Sequence, residues 1–212
     1  MPATPKQRAA LDFYCRGLME EAKGRLICID GAMDGQTGLP VPAVQEFCFL
    51  QLRMLCELIA LGCLIAHGDL APGVKLNNLW AADKIVDRLE GLHPSFYPHA
   101  MKAGPHRYEA LKGGFLTKGQ LLKLNSRCGS MLHRGSLKSL FTPKKLQQDH
   151  FGEIKEWRSQ IGLLLDCHAI CLFDEKTLVV IKLADRELNN RTIWRMLEGE
   201  QSMSEAFRSQ RG

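Results

Sequence analysis

Residues 43–67 read AVQEFCFLQLRMLCELIALGCLIAH and predict a long central helix. One apolar stripe follows helical spacing and consists of Phe47, Leu50, Met54, Leu58, Leu61 and Ile65. Leu52, Leu55 and Ile59 add a second apolar face to the same run. A helix that is apolar on most of its sides is buried among neighbouring elements. We therefore expect this helix to form the core of the protein.

Helical spacing recurs on both sides of the central helix. The predicted helices cover about 4–25, 78–92, 117–135 and 142–166. Thr4-Pro5 and Thr142-Pro143 have the form of helix starts, with a threonine cap before a first-turn proline. The segments 27–42 and 93–114 are rich in glycine and proline, and they predict loops.

The pattern changes after Asp166. Two short runs rich in β-branched residues, 169–173 and 177–183, flank Asp174-Glu-Lys and predict a β-hairpin. A polar segment with several arginines follows and predicts a helix or tail. The sequence thus predicts a mainly α fold, a helical bundle over 1–168. The hairpin and basic helical tail of 169–212 are expected to pack on the same domain.

Composition and charge bound the class of protein. The 212 residues suit one domain, with 45% hydrophobic and 24% charged residues, as is usual for a globular chain. The net charge of +5 permits an anionic partner without requiring one. Three of the eight cysteines, Cys48, Cys56 and Cys63, lie in the central helix, where a cysteine acts as a small hydrophobic residue.

The expected location follows from the N-terminus and the longest apolar run. The first residues lack the basic-then-apolar pattern of a signal sequence, so we expect a reduced, cytoplasmic protein. Leu58–Ala66 is too short to span a bilayer, so no membrane partner is expected.

The candidate catalytic residues lie in the stretch Asn125-Ser-Arg-Cys-Gly-Ser-Met-Leu-His-Arg-Gly135. It places Arg127 and His133 six residues apart near the end of a predicted helix. A histidine titrates near neutral pH and can move the proton of a 2′-hydroxyl group. An arginine stays charged and can bind a phosphate through paired hydrogen bonds. These two residue types can act on RNA without a metal.

The spacing of Arg127 and His133 resembles the R-x(4–6)-H motif of HEPN domains, small helical proteins that often act as ribonucleases in prokaryotic defence and toxin–antitoxin systems. The helical layout over Thr4–Asp166 is also similar to a HEPN layout. The resemblance implies a homodimer whose two motifs meet in a cleft. It implies that His133 serves in transesterification through a 2′,3′-cyclic phosphate and that Arg127 stabilises the phosphate. Active members often have a polar residue after the arginine, where this chain has Cys128.

Several neighbours are candidates for supporting roles. Ser126 and Ser130 lie close to the helical face of His133 and could position a phosphate or a water molecule. Asn125 and Arg134 flank the motif and complete this set.

A second pair lies inside the central helix. Arg53 and Glu57 are one turn apart and can form an ion pair that fixes helix packing. Alternatively, Glu57 lies beneath the motif helix and orients Arg127. The sequence leaves both interpretations open.

The remaining candidates are a cluster of lysines and a set of residues of metal-binding type. Lys138, Lys144 and Lys145 form either a solvated face or a patch that binds RNA phosphates. The spacing of the candidate ligands is too loose for zinc, so neither a metal nor another cofactor is expected. These ligands are Cys63, His67, Cys167, His168 and Cys171.

The favoured function is a HEPN-like, metal-independent endoribonuclease of a defence, toxin–antitoxin or stress-response system. Its expected partners are a second copy of the chain, RNA, and a protein antitoxin or regulator. One alternative is a non-enzymatic helical interaction or regulatory protein, such as a degenerate HEPN-like chain. Another is a helical sensor that binds a small ligand. An open, polar cleft containing Arg127 and His133 would favour the enzyme.

Overall fold

A computed structural model describes residues 4–67, 79–104, 108–133, 149–172, 177–185 and 189–198. The described helices are α1 (Pro5–Phe13), a π-helical turn (Tyr14–Met19), α2 (Glu20–Met33), α3 (Val41–His67), α4 (Ala82–Leu92), α5 (Lys118–Leu132) and α6 (Phe151–Asp166). The described strands are β1 (His99–Ala103), β2 (Tyr108–Ala110), β3 (Cys167–Cys171), β4 (Thr177–Asp185) and β5 (Arg191–Glu198).

Two helices begin at capping boxes. At Thr4 and at Thr117 the threonine hydroxyl accepts from the backbone of the third helical residue, whose glutamine side chain accepts from the cap backbone. The first helix continues through the π-helical turn and past its predicted end near Arg25 to Met33, so the loop before α3 is shorter than predicted.

The central helix α3 is the core of the protein, as predicted. It packs against α2, α4, α5 and α6. Its length and mean hydropathy would suit a membrane-crossing helix. However, 61% of its most apolar window is buried inside the protein, which is typical of the core helix of a soluble domain.

The described strands form an antiparallel sheet in the order β2-β1-β3-β4-β5. The predicted hairpin is confirmed as β3 and β4, in which Ala169 pairs with Val180. Its predicted turn, 174–176, lies outside the described residues. Strand β1 pairs with β3 on the other side, with Ala100 opposite His168. The sheet therefore contains residues from both of the predicted segments, 1–168 and 169–212.

The fold is mixed α/β, so the prediction of a mainly α, HEPN-like helical bundle with one small hairpin and a helical tail was wrong. Strands β1 and β2 lie in the segment interpreted as loop, between Pro98 and Leu111. They are short, and pairing with each other and with β3 holds them in place. Strand β5 occupies the start of the predicted tail, and 199–212 lie outside the described residues.

The π-helical turn brings Tyr14 into the core. Its ring is 1% exposed and lies directly against Gly62 of α3. The Tyr14 hydroxyl donates to Nε2 of His168 at 2.9 Å, because Nδ1 of that histidine donates to the carbonyl of Leu165. The Tyr14 ring therefore has little freedom to move.

We expect Gly62→Ala to lower the free energy of unfolding by about 1–3 kcal/mol, because the new Cβ would overlap the fixed ring of Tyr14. Gly24→Ala in α2 is the matched control, since nothing lies within 4 Å of a Cβ there. It should raise the free energy of unfolding by up to about 1 kcal/mol through helix propensity. Urea denaturation measures both variants, and a Gly62→Ala protein as stable as wild type would contradict this packing.

Candidate functional site

Arg127 projects from α5 and binds Glu153 of α6 with two hydrogen bonds. Its Nε lies 2.8 Å from Oε1 of Glu153, and its Nη2 lies 2.9 Å from Oε2. This two-point geometry fixes the plane of the guanidinium group. The same hydrogen bonds raise the pKa of Arg127 and lower the pKa of Glu153, so both groups are charged at neutral pH.

Phe49 of α3 forms the floor beneath this ion pair. The Cζ atom of Arg127 lies 5.9 Å from the centroid of the Phe49 ring, within range of a cation–π interaction. The imidazole of His150 meets the same ring edge-on, with centroids 6.0 Å apart and an interplanar angle of 77°. Because Phe49 is fully buried, both polar side chains rest on a rigid apolar surface.

Glu153 is the centre of the site. Nδ1 of His150, the residue before α6, lies 3.3 Å from Oε2 of Glu153. After Arg127, the side chain of Trp157, one turn further along α6, also lowers the pKa of Glu153. One carboxylate thus faces a guanidinium and an imidazole.

His133 lies at the other end of the motif. It is the C-cap of α5, its side chain is exposed, and its backbone N–H donates to the carbonyl of Gly129. Six residues separate it from Arg127, which corresponds to about 9 Å along an ideal helix and about 120° around it. The two side chains therefore do not converge directly within one chain.

Helices α5 and α6 are antiparallel, with His133 at the end of the first and His150 at the start of the second. The backbone of Leu116, before α5, donates to the carbonyl of Gln160 on α6, and Arg127 further along α5 binds Glu153. The two helices are therefore antiparallel. As a result, the last turn of α5 and the first turn of α6 lie at the same end of the pair.

The other predicted residues of the motif are placed as follows. Ser126 and Ser130 are exposed, and the Ser130 hydroxyl donates to the Ser126 carbonyl within the helix. Asn125 is half-buried. The remaining predicted residues lie outside the described part of the chain, namely Arg134, Lys138, Lys144 and Lys145.

The second predicted pair is internal to α3. Arg53 binds Glu57 at 3.3 Å, as expected for an ion pair one turn apart. Arg127 binds Glu153 instead of Glu57, so the orienting role proposed for Glu57 belongs to Glu153.

Cys128, the departure from the family pattern, faces the core. It is fully buried, and burial raises the pKa of its thiol to about 12. Its neutral thiol therefore packs beneath the helix while Arg127 points to the site. The residue after the arginine contributes structure here and does not line the polar surface.

The loosely spaced cysteines and histidines do not assemble into a metal site. Among the described residues, no group of three or more His, Cys, Asp or Glu side chains could hold a metal ion. The ring nitrogens of His67 both contact backbone carbonyls, those of Cys63 and Cys171. Burial lowers the pKa of His67, as it does that of His168.

Phe49, His150 and Glu153 belong to the site but were not predicted from the sequence. His150 and Glu153 have helical i,i+3 spacing, but nothing in the sequence connects them to Arg127, since the contact joins different helices. No protein-family model matches the chain, and no curated protein or solved structure matches it. The chemistry of the site's own residues is therefore the basis for a function.

Proposed function

We propose that this protein is a metal-independent endoribonuclease that acts through Arg127 and His133, in the manner of the HEPN motif. It would work in the cytoplasm, in a defence, toxin–antitoxin or stress-response system. The observation that carries the proposal is the two-point binding of Arg127 by Glu153, which fixes the guanidinium group and leaves three of its five N–H donors unused.

Arg127 keeps the capacity to bind a phosphate. An arginine has five N–H donors, and Glu153 uses one at Nε and one at Nη2. The donors that remain are both on Nη1 and one on Nη2. The side chain is 37% exposed, so an RNA phosphate can reach these donors. Because Glu153 already fixes the guanidinium plane, phosphate binding costs little further side-chain entropy.

His133 supplies proton transfer. It takes the proton of a ribose 2′-hydroxyl, and the 2′-oxygen forms a bond to the adjacent phosphorus. The bond between phosphorus and the 5′-oxygen breaks, and that oxygen receives a proton. The products are a 2′,3′-cyclic phosphate and a 5′-hydroxyl end. The exposed position of His133 at the end of α5 suits a group that must meet a large substrate.

A homodimer completes the site in this proposal. Arg127 and His133 lie about 120° apart around α5, so one chain does not bring them together directly. A two-fold axis beside α5 would set the arginine of one copy beside the histidine of the other.

The main rival is a non-enzymatic interaction protein in which the Arg127 ion pair only joins helices. The protein contains such a pair nearby, because Arg158 of α6 binds Asp30 of α2 at 2.7 and 2.6 Å. Arg158 also lines a groove of about 410 Å³, large enough for a small ligand. Its arginine has no histidine beside it among the described residues, so the Arg127 cluster is the stronger candidate.

Purified wild-type protein incubated with mixed cellular RNA tests the proposal. We expect fragments with 2′,3′-cyclic phosphate and 5′-hydroxyl ends, formed equally with and without EDTA. Cleavage that EDTA abolishes would overturn the metal-independent mechanism. No cleavage would favour the interaction protein.

A further inference from the structure

We propose that His150 is a second proton-transfer residue of this site, held by Glu153 and acting opposite His133 on the RNA phosphodiester. The inference rests on the proposed ribonuclease function and adds a residue that the motif does not contain. It starts from the contact between His150 and the carboxylate that holds Arg127.

Transesterification requires two proton transfers. One group removes the proton of the 2′-hydroxyl as the oxygen–phosphorus bond forms, and another protonates the 5′-oxygen as its bond to phosphorus breaks. In-line displacement puts these two oxygens on opposite sides of the phosphorus atom, so one imidazole cannot serve both in a single step. With His133 accepting the first proton, His150 as an imidazolium donates the second, and the number of protons is unchanged overall.

The contact with Glu153 defines which nitrogen of His150 is available. Nδ1 of His150 faces Oε2 of Glu153 at 3.3 Å, and an ionised carboxylate favours the tautomer that carries a hydrogen on Nδ1. Nε2 is then the nitrogen that exchanges a proton with substrate, and no hydrogen bond from the described part of the chain involves it. The side chain is 14% exposed, which leaves it partly accessible from solvent.

The described groups around His150 come from α3, α5 and the start of α6. From α5, Arg127 neutralises the Glu153 carboxylate, and Cys128 is a buried neutral thiol. From α3, the Arg53–Glu57 ion pair carries no net charge, and Phe49 presents only its ring. Asp149 accepts from the backbone of Phe151 at the start of α6.

The antiparallel arrangement of α5 and α6 supports two histidines at one site. His133 ends α5 and His150 begins α6, and both lie at the same end of the helix pair. Arg127 binds the carboxylate that His150 touches, so the phosphate-binding cation lies beside this histidine. In the proposed dimer, the partner subunit's His133 completes the site from the other side.

The variant His150→Asn distinguishes a role in proton transfer from a purely structural contact with Glu153. Its amide N–H can still face Glu153 in place of Nδ1, but it has no nitrogen at the position of Nε2. We expect kcat for RNA cleavage to fall about 10²–10⁴-fold with KM little changed. The pH–rate profile should also lose one of its two limbs. His150→Gln, which keeps a polar side chain of different reach, should show the same loss if the first variant folds poorly.

Arg158→Gln is the matched control. It removes an arginine of α6 whose ion pair, with Asp30, resembles the Arg127–Glu153 pair but lies away from the two histidines. It should keep the wild-type kcat and both limbs. His150→Asn with wild-type kcat and both limbs, alongside an inactive His133→Ala, would overturn this inference and leave the ribonuclease function standing. A wild-type protein that does not cleave RNA would overturn both.

Discussion

If the protein is the proposed ribonuclease, replacing His133 with alanine should lower the rate of RNA cleavage by about 10²–10⁴-fold, because the variant lacks the group proposed to accept the 2′-hydroxyl proton. Arg127→Ala should cause a loss of about 10²–10³-fold, because the developing charge on the phosphate would lose its donors. Both variants are compared with wild type in a single-substrate cleavage assay, with thermal unfolding measured on the same preparations.

Stability distinguishes these two variants from each other. His133 is exposed at the end of α5, so its truncation should change the free energy of unfolding by less than about 0.5 kcal/mol. Arg127→Ala leaves Glu153 without its main partner and should cost about 1 kcal/mol, as should Arg158→Ala at the matched pair with Asp30. Equal loss of cleavage in Arg127→Ala and Arg158→Ala would contradict a specific role for Arg127.

The second large effect is a loss of stability in mild acid. Burial lowers the pKa of His168 to about 4, and it also lowers the pKa of His67 and of His99. In the unfolded chain these histidines titrate near their ordinary pKa of about 6.5. Between these two values the unfolded chain binds protons that the folded protein does not. The free energy of unfolding therefore falls as the pH falls through this window.

The His168 contribution alone should approach roughly 3 kcal/mol, because each tenfold difference in proton affinity between the folded and unfolded states corresponds to about 1.4 kcal/mol. It is fully present above about pH 6.5 and lost by about pH 4. Urea denaturation at several pH values across this window measures how steeply the free energy of unfolding depends on pH.

His168→Gln should flatten this slope, since glutamine does not titrate. Tyr14→Phe serves as the control: it removes the hydrogen bond to Nε2 but leaves a buried imidazole at position 168, so the slope should remain steep. If His168→Gln loses stability in acid as steeply as wild type, other groups carry the effect.

The parts of the fold that the sequence predicted correctly are those with local causes. The capping threonines Thr4 and Thr117 and the apolar spacing of α3 act within a few residues, so they can be recognised in the chain. Strand β1 pairs with β3, which is distant in sequence, and β2 and β5 are the two edge strands of the sheet. The proline and glycine beside β1, Pro98 and Gly104, made its segment resemble a loop.

In the candidate site too, the residues with a local sequence pattern were predicted and those without one were not. Arg127 and His133 stand out because both lie on one helix at a recognisable spacing. Glu153 reaches Arg127 from a helix that begins far along the chain, and no local pattern indicates that contact. The core-facing position of Cys128 was open to prediction, since it continues the buried row of Leu121 and Leu124 at helical spacing.

The π-helical turn at Tyr14–Met19 makes the number of residues in the first helix matter as much as their identity. A π turn takes up about one more residue than an α turn, so α1 keeps the angular phase of a continuous α-helix that is one residue shorter. If the turn became α-helical with all of its residues kept, α1 would rotate by about 100°. Leu11 would then leave the core, although no apolar side chain had been removed. Deletion of exposed Arg16 would instead let the turn become α-helical while Leu11 stays in the core.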